Sequence, residues 1–283
     1  MMLSKQIFNS CLMKLKHIII AAAVLFGLAS CRDSRVNISI FSDHIATIAS
    51  QEGISYRDAA KKVRDLGYDG VDVWTTINPE QLHILDSLGF RHSCAIAYID
   101  FCNGAQEEVA EQAIDFMNDE KWDKLLLVPG LMQENASKED TGHAIERVAS
   151  FVQKASDAGL KILVEDYDNS RSICFNTVRL DSLFNAAESL GLVFDTGNWS
   201  VCGEDEMAAL EHFKPIISHI HLKDRKYDGS CPAVGDGIIP IRGIISKMLA
   251  SGYNGWFTVE HFGSQNMYED AARSIRTIKA ASK

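Results

Sequence analysis

Residues 162–165 read Ile-Leu-Val-Glu, and three later apolar runs also end in a side chain that can bind a metal ion. These runs are Leu-Val-Phe-Asp195, Ser-His-Ile-His221 and Phe-Thr-Val-Glu260, and the gaps between the four end residues are 30, 26 and 39 residues. Each gap is about the length of one strand and one crossover helix. If the runs are consecutive parallel strands of one barrel, their end residues meet at its C-terminal mouth. Three carboxylates and one imidazole in one place predict a divalent-metal site.

Strand-like and helix-like segments alternate along the rest of the chain. Eight parallel strands with helices between them close into a (β/α)8 barrel, so we expect one α/β domain over residues 32–283. The predicted strands are 36–41, 70–74, 92–98, 124–128, 161–165, 192–195, 216–222 and 255–261. The predicted helices include 56–66, 79–88, 107–118, 141–158, 177–190, 206–212 and 241–250.

A short phrase, a glycine followed by an apolar residue, recurs between these segments. It is centred on Gly67, Gly89, Gly159, Gly191 and Gly252. Each glycine is predicted to adopt the left-handed conformation that ends a helix, with the apolar residue leading into the next strand. The repetition favours repeated βα units.

The first 31 residues have the composition of an export signal. They contain three lysines and no acidic residue, and they include an apolar run over 18–28 that is too short to span a bilayer. The run ends in Leu-Ala-Ser-Cys31, which resembles a bacterial lipobox. We therefore expect a signal peptide over 1–31 and lipidation of Cys31, which would anchor the exported protein at the cell envelope. An ordinary secretory signal with a chance cysteine is the alternative.

The predicted mature chain is strongly acidic. Removing residues 1–31 takes away three of the 28 basic residues and none of the 38 acidic ones, which leaves a net charge of −13. Nucleic-acid binding depends on lysine and arginine, so this charge argues against a nucleic-acid partner. Five cysteines remain after Cys31 without metal-binding spacing, and we interpret them as mostly buried thiols.

The segment 217–260 carries a family resemblance. It contains His-Ile-His-Leu-Lys-Asp, Val-Gly-Asp-Gly-Ile-Ile-Pro and Ser-Gly-Tyr-Asn-Gly-Trp-Phe-Thr-Val-Glu. In these motifs the chain resembles the xylose-isomerase-like barrel superfamily, which includes sugar phosphate isomerases and epimerases. The resemblance implies that Glu165, Asp195, His221 and Glu260 are the ligands of one metal ion. It also implies that Glu165 and Glu260 move protons.

Isomerising or epimerising a sugar beside its carbonyl requires removal of a poorly acidic C–H proton. A divalent cation stabilises the resulting enediolate, and two carboxylates can deprotonate one face and reprotonate the other. Oxygen-rich ligands favour Mn²⁺ or Mg²⁺, while the imidazole leaves Co²⁺, Zn²⁺ and Fe²⁺ compatible. Each ligand considered alone has a structural alternative; Asp195, for example, could cap the helix that follows it.

Residues around the predicted site are candidates for substrate binding. Lys223 alternates with His219 and His221, so the three share one strand face. Lys223 should lie nearest the mouth, where it either binds substrate or forms a salt bridge, for example with Asp224. His219 is expected to be a hydrogen-bonded core residue.

Four further residues lie near predicted strand ends. Trp74, His44 and Trp199 are candidates to shape the pocket, with simple packing as the alternative. Asn198 stands where many relatives have a histidine that binds substrate or a second metal ion. An asparagine can hydrogen-bond a sugar hydroxyl but is a poor metal ligand. Together with the charge of −13, Asn198 therefore argues against the related endonucleases.

Three functions fit these observations. The first is a metal-dependent sugar isomerase or epimerase acting by proton abstraction beside a carbonyl; an exported enzyme would rarely meet a phosphorylated sugar, so the substrate is a free sugar or keto-sugar. The second is a 3-keto-glycoside lyase, which shares the first step and then expels the glycosidic oxygen. The third is a non-catalytic sugar-binding lipoprotein. All three have a small carbohydrate as partner, and the oligomeric state stays open.

Overall fold

The computed structural model describes residues 36–283. The predicted signal peptide and its Cys31 lie outside these residues, so lipidation stays a prediction.

The eight predicted strands are confirmed and form one closed parallel barrel in chain order. The last strand closes on the first through the pairs Ile38 with Phe257 and Ser39 with Thr258. The strands are β1 Asn37–Phe41, β2 Gly70–Trp74, β3 Arg91–Tyr98, β4 Lys124–Val128, β5 Lys161–Glu165, β6 Gly191–Asp195, β7 Ile217–Leu222 and β8 Trp256–Val259.

Residues 36–283 contain ten helices, which surround the barrel: two follow β1, two follow β6, and one follows each of the other strands. They are α1 Ser42–Glu52, α2 Tyr56–Leu66, α3 Pro79–Ser87, α4 Glu107–Asp119, α5 Lys138–Asp157, α6 Thr177–Ala186, α7 Trp199–Cys202, α8 Glu206–Phe213, α9 Ile241–Ala250 and α10 Met267–Ala281.

Two predicted helix boundaries were wrong for local reasons. Helix α5 begins three residues before the predicted start, because Ser137 and Asp140 form a capping box in which each side chain accepts from the other's backbone N–H. Helix α6 ends at Ala186 instead of Leu190, because Ala187 has already left helical geometry, with φ at −139°.

Four of the five predicted helix-ending glycines are confirmed, since Gly67, Gly89, Gly159 and Gly252 all have positive φ. The prediction for Gly191 was wrong, because this residue is the first of strand β6. A Cβ there would lie 2.6 Å from the Leu163 side chain. Gly191 is therefore explained by close packing between neighbouring strands.

The barrel interior has an apolar sector and a polar one. The apolar sector comprises Phe41, Cys94, Ile96, Leu126, Leu163 and Val193. Buried Ser39, Asp72, Ser93, His219 and Thr258 form the polar sector. A larger apolar core fills the space between the barrel and the surrounding helices. The polar sector reaches the strands that carry the predicted site.

The five cysteines of residues 36–283 are free thiols, three of them buried and two half-buried, as expected. None of the helices in this part of the chain is long and apolar enough to cross a membrane.

Candidate active site

The structure brings the four predicted metal ligands together at the C-terminal mouth of the barrel. Glu165 and Asp195 are the last residues of β5 and β6, His221 lies near the end of β7, and Glu260 follows β8 directly. Each of the four offers one ligand atom, and these atoms lie within 4.8 Å of one another. All four side chains are buried or nearly so. The arrangement is one compact group of three carboxylates and one imidazole.

The two carboxylate oxygens of Asp195 have different surroundings. Its Oδ1 accepts backbone hydrogen bonds from Gly197 at 2.7 Å and from Asn198 at 3.2 Å, which form a turn in the loop before α7; the N-cap position of α7 is Asn198 and not Asp195. Its own backbone N–H donates to Asp166 Oδ1 at 2.9 Å. Because Oδ1 is held by the loop, Oδ2 is left to face the other ligands.

Lys223 points into the ligand group. Its Nζ lies 2.7 Å from Asp195 Oδ2 and 2.6 Å from Glu260 Oε1. It also donates to Asn198 Oδ1 at 3.2 Å. The salt-bridge alternative is therefore realised, although the partners are two metal-ligand candidates and not Asp224.

His221 uses its two ring nitrogens on different sides. Nδ1 faces the mouth, 2.5 Å from Glu165 Oε1 and 3.0 Å from Glu260 Oε2. Nε2 faces the barrel interior, 3.1 Å from Asp72 Oδ2. Only Nδ1 is directed at the three carboxylates, so Nδ1 is the nitrogen that could bind an ion there.

These contacts shift the pKa values of the group. Burial raises the pKa of Asp195 to about 8, although Lys223 opposes the rise. Burial alone would lower the pKa values of His221 and Lys223, but the neighbouring carboxylates raise both well above their usual values. Burial opposes ionisation of Glu260, yet Lys223 and His221 hold its pKa below the usual range. Two cations thus compensate the carboxylates in the metal-free protein.

The residues fit a divalent cation. Asp195 Oδ2 and Glu260 Oε2 are buried and, within residues 36–283, accept no hydrogen bond of good geometry beyond their ion-pair contacts. Buried acceptors without such a partner need an explanation, and an ion bound between them supplies one. Hard carboxylate oxygens with one imidazole suit Mn²⁺ or Mg²⁺ and are compatible with Co²⁺, Zn²⁺ or Fe²⁺.

A cavity of about 400 Å³ opens directly above this group. The candidate ligands Glu165, His221 and Glu260 form part of its wall, together with Lys223 and Asn198. The remaining wall is largely apolar and includes Phe41, Trp74, Ile96, Tyr98, Leu126, Val128, Tyr167 and Phe262. A volume of this size lies in the range of small-molecule sites, roughly 300–1,000 Å³.

The family follows from the sequence match. Residues 54–280 match the model of the xylose isomerase-like TIM barrel family, which is well over half of the chain. The chain belongs to this family. The resemblance that the motifs around His221 and Glu260 indicated is thereby confirmed.

Relatives of this xylose isomerase-like barrel include enzymes with different reactions. An inosose dehydratase of Bacillus thuringiensis (strain Al Hakam) is 29% identical over 104 residues, or 30% of this chain and 35% of that protein. The chain thus matches about a third of the length of that curated relative.

Two solved structures share the fold at low identity. D-allulose 3-epimerase from Methylomonas sp. in complex with D-allulose has a TM-score of 0.68 at 15% identity, covering 87% of this chain and 97% of the other. A probable 3-DHS dehydratase from Bacillus anthracis has a TM-score of 0.69 at 16% identity, covering 86% and 99%.

Not every predicted pocket residue of this family member reaches the cavity. Trp74, Asn198 and Lys223 line it. His44 lies in α1, fully buried, and its Nε2 accepts from the backbone N–H of His261. Burial, with help from His261, lowers the pKa of His44 to about 3. The structure therefore places His44 behind the pocket wall.

Trp199 is also buried outside the cavity, where its ring stacks on Phe194 and Phe213. It takes the packing role that was the alternative for this residue. His219 is the expected core histidine, hydrogen-bonded to Asp72 at 2.8 Å.

Two residues that shape the site were not predicted from the sequence. Arg225 lines the cavity and is held by Asp168 at 2.6 Å and by Asn198 Oδ1 at 3.1 Å. Asp72 lies fully buried within β2. The available signal for Asp72 was an acid inside the apolar run Val-Asp-Val of 71–73, since a buried carboxylate requires partners.

Proposed function

We propose that this protein is a divalent-metal-dependent isomerase or epimerase that abstracts a proton beside the carbonyl of a non-phosphorylated sugar or keto-sugar. The observation that carries the proposal is the group of Glu165, Asp195, His221 and Glu260 at the floor of the mouth cavity. A cation bound there would polarise a carbonyl and stabilise the negative charge that develops on its oxygen.

The residues of this chain supply the remaining chemistry. Glu165 and Glu260 reach the cavity from strands β5 and β8, which are separated around the barrel. Two carboxylates at separate positions can act on a substrate between them, one taking a proton from carbon and the other returning one. Lys223 adds a positive charge beside Glu260, and its ammonium can donate to a substrate oxygen when it exchanges one of its present partners, Asp195, Glu260 or Asn198.

The apolar wall fits a carbohydrate. Tyr98 is 55% exposed and Phe262 is 54% exposed, and both line the cavity with Trp74. Large aromatic surfaces of this kind bury apolar area on binding, and a sugar ring offers C–H faces to them. The aromatic and polar side chains of this one cavity would together orient the sugar toward the carboxylates.

The charges of the cavity favour a substrate without phosphate. Its two basic side chains are already paired, Lys223 with Asp195 and Glu260, and Arg225 with Asp168. A phosphate would have to compete with these carboxylates for either basic side chain, whereas an uncharged sugar would not.

A lyase acting on a 3-keto-glycoside is the second candidate. The match to an inosose dehydratase favours it, because a dehydratase is a lyase that eliminates water. The same proton abstraction begins both reactions, and the outcome depends on whether the substrate carries a leaving group at that position.

A non-catalytic sugar-binding protein is the third candidate. It predicts that a ligand or a proton-transfer residue would be missing, whereas all four ligand residues are present and adjacent. Chelation separates the cases, since a simple binder would keep its sugar affinity and either enzyme would lose its activity.

The proposed location is the cell envelope, with the exported chain anchored through a lipid on Cys31. The lipobox-like segment 28–31 supports this proposal. Expression of the full chain with a radiolabelled fatty acid should label the wild type and leave Cys31→Ser unlabelled; an unlabelled wild type would contradict the anchor.

The reaction is tested in deuterated water. The mature chain, residues 32–283, is loaded with Mn²⁺ or stripped with chelator, incubated with free sugars and 3-keto-glycosides, and followed by NMR after removal of the metal. Metal-dependent deuterium uptake beside the carbonyl with an intact skeleton supports the isomerase or epimerase. Release of the aglycone supports the lyase. If no substrate in the panel shows either change, both enzyme proposals are contradicted.

A further inference from the structure

Asp72 lies one layer below the candidate metal site, in the polar sector of the barrel interior. Its side chain has no solvent exposure. Burial of a carboxylate costs several kcal/mol unless the carboxylate is well paired. The partners that compensate the buried charge of Asp72 therefore indicate which side chains this carboxylate orients.

Each oxygen of Asp72 has two partners. Oδ1 accepts hydrogen bonds from Ser93 Oγ at 2.5 Å and from Thr258 Oγ1 at 3.0 Å. Oδ2 lies 2.8 Å from His219 Nε2 and 3.1 Å from His221 Nε2. Both hydroxyl groups donate to Oδ1, so Oδ2 is left to accept hydrogen bonds from the two imidazoles.

The contact with His221 has a consequence for metal binding. A neutral imidazole carries one proton, and the nitrogen without it offers the lone pair that a metal ion needs. Asp72 cannot donate when ionised, so it favours the proton on Nε2. Nδ1 then presents its lone pair to the space between Glu165 and Glu260.

We propose that Asp72 is a positioning residue that fixes the tautomer and ring orientation of His221 and thereby sets the affinity of the mouth site for a divalent cation. This inference rests on the proposed function, because it requires that the mouth site binds a metal ion.

The neighbours of Asp72 support this role over a second metal site. Asp72, Cys94 and His219 also lie close enough to share an ion. However, Asp72 Oδ2 already contacts two imidazoles, and Cys94 Sγ donates to the carbonyl of Ala95 at 3.3 Å. The inner group is internally hydrogen-bonded, so we expect one metal ion for each chain.

The test compares two variants with wild type. Asp72→Leu keeps the branched outline of the side chain and removes both acceptors. Ser93→Ala is the matched control, because it removes a hydrogen bond to the same carboxylate without touching His221. Mn²⁺ affinity is measured by calorimetry on protein whose fold is verified by circular dichroism. We expect Asp72→Leu to weaken binding by about 10- to 100-fold and Ser93→Ala by less than about threefold.

A second readout reports the tautomer directly. Wild type is labelled with ¹⁵N-histidine, loaded with diamagnetic Mg²⁺, and the His221 resonances are assigned by their loss in His221→Gln. We expect the proton on Nε2. A proton on Nδ1 would overturn the inference, and this result needs no Asp72 variant to fold.

The outcomes separate the two proposals. Folded Asp72→Leu with wild-type affinity, or equal weakening in Ser93→Ala, would overturn the role of Asp72 while the metal site stands. A wild-type chain that binds no Mn²⁺ would overturn the proposed function itself.

Discussion

Replacing Glu260 by glutamine is the substitution that most sharply tests the mouth site. The carboxylate is buried, with Oε1 2.6 Å from Lys223 Nζ and Oε2 3.0 Å from His221 Nδ1. Glutamine keeps the size of the side chain and removes its charge. It therefore removes one ligand charge and one proposed base while leaving the packing in place.

The expected cost to the metal-free fold is small. Breaking a buried ion pair costs about 3–5 kcal/mol when it leaves a charge without a partner. Here Lys223 retains Asp195 at 2.7 Å, and His221 retains Glu165 at 2.5 Å. Each of the two cations keeps a side-chain partner, so we expect a loss of about 1–2 kcal/mol at most.

The expected cost to function is much larger. Loss of one of three carboxylate ligands should weaken Mn²⁺ binding at least about tenfold. Removing a residue that only hydrogen-bonds to a metal ligand already weakens metal binding by about tenfold or more. Loss of the base should slow deuterium exchange into substrate by about 10²–10⁴-fold even when metal is saturating.

Calorimetry with Mn²⁺ and the NMR exchange assay measure these effects separately. Asp168→Asn is the matched control, because Asp168 also lines the cavity but pairs with Arg225 outside the ligand group. We expect this control to keep its metal affinity. Wild-type exchange by Glu260→Gln at saturating metal would refute its role as base, and wild-type affinity would refute its role as ligand.

Three further predictions concern the surroundings of the site. Lys223→Met removes the ammonium that faces Asp195 and should tighten Mn²⁺ binding by at least about tenfold while raising the Michaelis constant for substrate. Because burial raises the pKa of Asp195 to about 8 and the carboxylates raise the pKa of His221 well above its usual value, a cation must displace a proton from each side chain; Mg²⁺ affinity should therefore rise with pH between pH 6 and 8, by about tenfold or more per unit. Gly237→Ala should lower stability by about 1–3 kcal/mol in denaturant unfolding, because a Cβ there would lie 2.2 Å from Asp224 Oδ1. The control Gly243→Ala meets no atom within 4 Å and should be neutral or stabilising, being in a helix.

Each of these predictions has a contradicting result. Unchanged metal affinity in Lys223→Met would mean that its ammonium does not compete with the ion. Mg²⁺ affinity that is flat between pH 6 and 8 would mean that neither Asp195 nor His221 loses a proton when the ion binds. Equal stability of the two glycine variants would mean that the Asp224 loop adapts without cost.

The barrel and its mouth were predictable because their signals are local. Apolar runs that end in Glu165, Asp195, His221 and Glu260 encode both the strands and the polar side chains at their ends. Parallel strands place those ends at one edge, so the convergence followed from topology alone. The spacing of glycines indicated helix ends wherever a helix actually reached the glycine.

The inner contacts were not predictable, because they join residues that are far apart in sequence. Asp72 and His221 are separated by 149 positions and meet only across the closed barrel. The sequence placed Lys223 on the same strand face as His221. It did not show which carboxylates of the neighbouring strands would lie close enough to pair with Lys223. Helix α1, which buries His44, begins at Ser42, directly after β1. Its N-cap residue, Phe41, provides no side-chain cap that would indicate a helix start in the sequence.

The central claim is that four side chains at the mouth of this barrel hold one divalent cation. Crystals of residues 32–283 grown with Mn²⁺, with diffraction collected at the manganese absorption edge, test it most directly. We predict one anomalous peak for each chain, at about 2.0–2.6 Å from oxygens of Glu165, Asp195 and Glu260 and from Nδ1 of His221. A peak between Asp72, Cys94 and His219, or no peak at the mouth at saturating Mn²⁺, would contradict it.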